Sequence, residues 1–174
     1  MTKPDDSASR FRTPSASIVA EAGEFMRAFR SLVMATVNAD GVPDASYAPY
    51  VRIDDNAFYV NLSGLAAHTA NLASTPRASV LFLQSEDDSK QLFARKRLSF
   101  DVDAEVVERD SPRWAQVMDL FALKFGEVIE LIRPLADFEL IRLTPRSAVY
   151  VRGFAQAYPI NGPGLEGLRR INDL

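Results

Sequence analysis

Between Arg97 and Glu108 the chain alternates. Leu98, Phe100, Val102, Ala104 and Val106 fall on one parity, and Ser99, Asp101, Asp103 and Glu105 on the other. A period of two sends successive side chains to opposite faces, so this segment predicts a β-strand with one buried and one wet side. Apolar runs bounded by turn residues predict further strands at Leu32–Asn38, Pro43–Ile53, Ala57–Leu62 and Ala78–Gln84. Asp40-Gly41 supplies the positive-φ turn of a hairpin between the first two, and Asp54-Asp55-Asn56 turns into the third, making a meander.

Helical spacing interrupts the strands. Ile18, Ala22, Phe25, Met26 and Phe29 predict an amphipathic helix that opens the domain, and Leu65–Ala73 a short one stopped before Pro76. Trp114, Val117, Met118, Phe121, Ala122 and Phe125 follow the i, i+3, i+4, i+7 rule between a Ser111-Pro112 cap and Gly126. A shorter helical piece ends near Pro134. Phe138–Leu143 and Ala148–Val151 read as a closing hairpin joined by the turn Thr144-Pro145-Arg146-Ser147.

Six or seven strands linked by short turns, with three or four helices, predict a mainly β fold: a small closed antiparallel barrel with peripheral helices, whose closure removes exposed edges. Side chains fill the interior of so small a barrel. Any ligand then binds in a cleft on its surface or at a subunit contact.

With 174 residues the chain is expected to form one domain around one substantial core, over 18–158, with a polar arm at 1–17 and a tail at 159–174. The arm, rich in Ser and Pro, lacks the apolar stretch of a secretory signal, and no apolar run reaches the roughly 18 residues of a membrane span. A soluble, cytoplasmic protein is the expectation. A net charge of −3 gives no electrostatic reason to expect nucleic acid or an anionic membrane as partner. With no Cys and one His, the chain has no means to form disulfides, thiolate catalysts, Cys-ligated metal centres or a multi-His site within one protomer.

Two polar clusters remain as candidate chemistry. Ser63-Gly64 leads from a strand into a helix whose first turn carries His68 and Thr69, and a helix N-terminus offers N–H groups to an anion such as phosphate. Arg95 and Arg97 share the outward parity of Ser99 and Asp101, so two guanidinium forks are expected on one outer face. Each cluster has an ordinary alternative. Ser-Gly is a helix cap, a basic triplet is a solvated strand edge, and His68 beside Leu65 and Leu72 is a hydrogen-bonded, partly buried residue.

The order of these parts is more specific than either alone. Strand, Ser-containing turn, short helix, apolar strand, loop and Arg-x-Arg opening a long strand resemble the flavin mononucleotide (FMN)-binding split barrel of the pyridoxamine 5′-phosphate oxidase-like superfamily. The stretches SLVMATVNADGVPDASYAPYV, FYVNLSGLAAHTANLASTPRASVLFL, RKRLSFDVDAEVV and ADFELIRLTPRSAVYVRGFAQAY resemble its bacterial haem-utilisation branch, over roughly Ser31 to Tyr158. The resemblance implies a six-stranded split barrel and a homodimer with two sites at its interface. It places Ser63, His68, Thr69, Arg95 and Arg97 around a cofactor phosphate, and Tyr47, Ala48 and Pro49 beside an isoalloxazine ring. It also implies a haem-site role for Asp137, Arg169 and Arg170. Haem-binding members of that branch use a histidine in the C-terminal tail as iron ligand, whereas YPINGPGLEGLRRINDL contains none.

Three functions follow as expectations. The leading one is an FMN-dependent oxidoreductase of unknown substrate. The second is a haem-binding or haem-utilisation protein in which haem breakdown is in doubt, and the third a dimeric scaffold without a small ligand.

Overall fold

The computed structural model describes residues 12–53 and 56–168. Helix α1 (Ala16–Arg27) precedes strands β1 (Ser31–Val37), β2 (Pro43–Arg52) and β3 (Phe58–Ser63). Then come α2 (Ala67–Ser74), β4 (Arg77–Leu83), a single 3₁₀ turn at Leu92–Ala94 and β5 (Arg97–Val106). Helices α3 (Pro112–Phe125) and α4 (Val128–Ile132), strands β6 (Phe138–Gly153) and β7 (Gln156–Ile160), and helix α5 (Pro163–Gly167) complete the order.

The strands pair antiparallel in the order β3-β2-β1-β4-β5-β6, and β6 returns to β3 from Phe58↔Leu143 to Ser63↔Phe138. Six strands therefore close a barrel, and β7 adds a seventh along the second half of β6. The β1–β2 hairpin turns where expected: Asn38 Oδ1 accepts from the amides of Asp40 (3.0 Å) and Val42 (2.9 Å), and Gly41 sits at φ +81°. Helix α3 starts on Ser111, whose Oγ accepts the Trp114 amide at 3.2 Å, and stops at Gly126 with φ +78°.

The expected closing hairpin is not one. Phe138–Gly153 is a single sixteen-residue strand, and Thr144–Ser147 is a bulge rather than a turn. Asp101 pairs with Ser147 and Val102 with Pro145, leaving Arg146 as the extra residue. Pro145 has no N–H to give to a ladder, and a bulge tolerates that loss while bending the strand. The bend lets β6 serve β3 with its first half and β7 with its second. The actual turn is Phe154-Ala155, with Ala155 at φ +55°, between the paired Gly153 and Gln156.

Two apolar clusters replace the single core expected. Inside the barrel Phe82 is the hub, with ring centroids of Phe29, Tyr50, Phe58 and Phe100 at 5.6, 5.5, 5.7 and 6.1 Å. Outside its wall, Val51, Tyr59 and Leu140 meet Trp114, Val117, Met118, Phe121 and Ile129 of α3 and α4. That is why Phe58, Tyr59 and Val60 are consecutively buried: β3 is covered on both faces. Tyr158, Ile160, Leu165 and Leu168 join the inner core, so the chain up to Leu168 packs as part of the barrel. No helix of the described residues is long and apolar enough to cross a membrane.

Candidate functional site

The β3–α2 junction is built around Ser63 and Gly64. The Ser63 hydroxyl accepts the Leu65 amide at 3.3 Å, and the Ser63 carbonyl accepts from the Ala66 amide (3.1 Å) and from Thr69 Oγ1 (2.6 Å). Helix α2 begins at Ala67, two residues later than the sequence predicts, behind an N-cap Ala66 that offers no side-chain bond, and Leu65 stands outside it at 91% exposure. Thr69 is buried, so its hydroxyl serves this turn. Asn71, also buried, donates from Nδ2 to Thr36 Oγ1 at 2.9 Å and fastens the helix to β1.

His68 lies half-buried one turn before Asn71. Burial lowers its pKa below the ordinary imidazole value, and the carboxylate of Asp44 on β2 pulls the other way. The ring is therefore held towards its neutral form, able to offer a nitrogen lone pair or a single N–H donor.

Asp137 joins this junction. Its carbonyl accepts the Gly64 amide at 2.5 Å while its side chain remains exposed just before β6. Ser63, Gly64, Thr69 and Asp137 thus form one locus. Arg169 and Arg170 lie outside the described residues.

On β2, Tyr47 and Pro49 face outward, Tyr47 at 71% exposure, whereas the Ala48 side chain enters the core and leaves only backbone to a ligand. Tyr47 pairs with Val33, Val33 with Leu81, Leu81 with Ser99 and Ser99 with Val149, one row running across the outer face of five strands. Most of that row is apolar. Sequence reasoning missed this continuity, because it depends on register between strands distant in the chain. It also missed Asn61 on β3, opposite Leu140, whose buried Nδ2 finds no hydrogen-bond partner among the described residues.

The two arginines separate. Arg97 opens β5, exposed on the same outer face as Tyr47, and among the described residues its Nη1 donates only to the Arg95 carbonyl at 3.4 Å. Arg95 precedes the strand, so strand parity does not orient it. Its Nε and Nη2 donate to the Gln84 carbonyl, and its Nη1 meets Glu86 at 3.3 Å. Within one chain this pair is also remote from Ser63: Arg97 pairs with Val151 and Ser63 with Phe138, thirteen positions apart along β6. The single chain does not bring the two clusters to one phosphate.

A protein-family comparison matches residues 18–152 to the family described as pyridoxamine 5′-phosphate oxidase. The chain is 42% identical over 160 residues to Heme oxygenase HutZ of Vibrio cholerae, spanning 88% of this chain and 90% of that protein. The crystal structure of HutZ, described as a haem storage protein, aligns with a TM-score of 0.69 and 44% identity over 72% of this chain and 88% of the other. Campylobacter jejuni ChuZ aligns with a TM-score of 0.79 and 33% identity, over 88% of this chain and 63% of that one. The closed barrel and these matches over most of the chain leave one conclusion: the chain belongs to the pyridoxamine 5′-phosphate oxidase-like split-barrel family, alongside HutZ and ChuZ.

Proposed function

We propose that this protein binds haem in the service of haem utilisation, as a pair of identical chains. The observation that carries the reading is the similarity to HutZ, named for haem, across nearly the whole chain. The described residues suit the group. Val33, Tyr47, Pro49 and Leu81 form a mostly apolar outer strip on which a flat macrocycle or a second chain can lie, Arg97 at its border suits carboxylates, and His68 offers a neutral imidazole. Haem would supply an iron centre for oxygen chemistry or be held as cargo; the protein supplies the face, the charges and the exclusion of water. A second chain covering the exposed strip would bury Val33, Tyr47, Pro49 and Leu81, and two identical chains would carry two equivalent sites.

FMN is the second reading, favoured by the family match and by the Ser63–Thr69 turn. Its phosphate has less to hold it than the sequence implied, since the Arg95 guanidinium already serves Gln84 and Glu86.

One titration tests both. Purified protein is titrated separately with haemin and with FMN while the visible spectrum is followed, and its mass in solution is measured. A sharp, saturable Soret band at fixed stoichiometry on a dimer supports the proposal, and decay of that band with ascorbate and oxygen adds haem breakdown. Stoichiometric FMN without haem uptake replaces the proposal with the flavoprotein reading. Uptake of neither leaves the scaffold.

A further inference from the structure

Arg109, half-buried between β5 and α3, gathers three backbone carbonyls of the segment that leads from α4 into β6. Its Nη1 donates to the Arg133 carbonyl at 3.0 Å, and its Nη2 to the carbonyls of Leu135 and, at 3.4 Å, Phe138. The guanidinium also lies over the buried Trp114 ring, 5.2 Å from its centroid. Helix α4 has five residues and no side-chain cap, and Pro134 follows it with no N–H, so residues 133–138 have little of their own to fix them. An arginine fork supplies partners to carbonyls that a helix end leaves open.

The held segment carries Asp137, whose carbonyl takes the Gly64 amide at 2.5 Å. Gly64 follows Ser63, the Ser63 carbonyl accepts Thr69 Oγ1 at 2.6 Å, and His68 is the residue before Thr69. A continuous path of hydrogen bonds and chain therefore joins Arg109 to the first turn of α2. We propose that Arg109 is a positioning residue for His68, acting through residues 133–138 and the Gly64–Asp137 contact. Arg109 touches no ligand in this role; it fixes the backbone that carries the imidazole, as the outer partners of a site fix the groups that do the binding. Its effect on ligand affinity rests on the haem reading above, and its effect on the free protein does not.

The test uses the full chain. Arg109→Lys keeps the positive charge and removes the fork, since an ammonium does not span three carbonyls and stack on an indole. In the ligand-free variant, hydrogen exchange at the Gly64 amide is expected to quicken. The ring-proton resonances of His68, the chain's one histidine, are expected to move near pH 8, well above the ordinary imidazole value. Phe82→Leu, which loosens the inner core instead, should leave those resonances in place. Arg109→Gln, with one amide instead of the fork, is measured alongside and should move each quantity in the same direction as Arg109→Lys. Haemin is expected to bind Arg109→Lys about tenfold more weakly than the parent, and in a His68→Gln background the same change should alter haemin affinity by less than about twofold. Unmoved His68 resonances, the same movement in Phe82→Leu, or equal haemin losses with and without His68 would overturn the inference while leaving the haem reading intact. A parent chain that takes up no haemin overturns the haem reading, and the ligand-free measurements then decide the role of Arg109.

Discussion

The amide of Gly64 donates to the carbonyl of Asp137 at 2.5 Å, and a Cβ on Gly64 would stand 2.9 Å from that same oxygen. The two backbones touch at a spacing no side chain permits, which joins the β3–α2 turn to the start of β6. Gly64→Ala must therefore push backbone against backbone, and a loss of about 1–3 kcal/mol is expected in urea unfolding. Asp137→Ala keeps the backbone bond and should change stability by less than about 0.5 kcal/mol. Equal stability of the Gly64 variant and the parent would show that the contact is not tight.

The alternation of Arg97–Glu108 and the 3.6-residue spacing of Trp114–Phe125 were legible because each records one element with one buried face. Thr144–Ser147 was not. A Pro beside polar residues marks a bulge as well as a turn, and only the partner strand, with Asp101 and Val102 facing Ser147 and Pro145, distinguishes them. The second apolar cluster escaped for a related reason: Phe58-Tyr59-Val60 shows that both faces of a strand are covered without saying by what. At the site, Ser63 and Thr69 were identifiable from local order, whereas the contact with Asp137 and the row from Tyr47 to Val149 arise from pairing between distant segments.

Phe82 tests where the fold is centred. Its side chain is almost fully buried and meets four other aromatic rings: Phe29 just after α1, Tyr50 of β2, Phe58 of β3 and Phe100 of β5. Phe82→Ala should cost about 3–5 kcal/mol, and Phe82→Leu clearly less, because leucine refills much of the cavity. The comparison is made by equilibrium urea unfolding. A Phe82→Ala cost no greater than that of an exposed residue such as Phe93, at 90% exposure, would refute the assignment of this ring as hub.

Tyr150 ties the barrel to its first helix. Its ring is buried, and its hydroxyl donates to Glu21 Oε1 at 3.0 Å, while the Glu21 carboxylate also meets Lys96 (3.6 Å) and Arg152 (3.1 Å). Burial raises the phenol's pKa above its ordinary 10, and the bond to Glu21 raises it further. The folded chain thus keeps a proton that the unfolded chain releases above pH 10, so the contribution is present below that pH and lost as pH rises above it. Tyr150→Phe should cost about 1 kcal/mol near pH 8 and flatten the alkaline fall in stability. Unfolding free energies from pH 8 to 11 decide it; an unchanged slope in the variant would assign the fall to other groups.

His68 gives the opposite sign. Burial depresses its pKa below 6.5 despite the nearby Asp44 carboxylate, so the unfolded chain binds a proton more readily than the folded one. Its effect on stability is absent well above 6.5 and grows as a penalty when the pH falls below that value. His68→Gln should remove this part of the acid slope. Asp44→Asn, by deleting the one opposing influence, should lower the imidazole pKa further. The chain has one histidine, so its ring-proton resonance in an NMR titration needs no assignment by mutation. A midpoint above 6.5, or an Asp44→Asn shift towards higher pH, would mean that the carboxylate dominates and that the ring is charged, not neutral, where the site needs a lone pair.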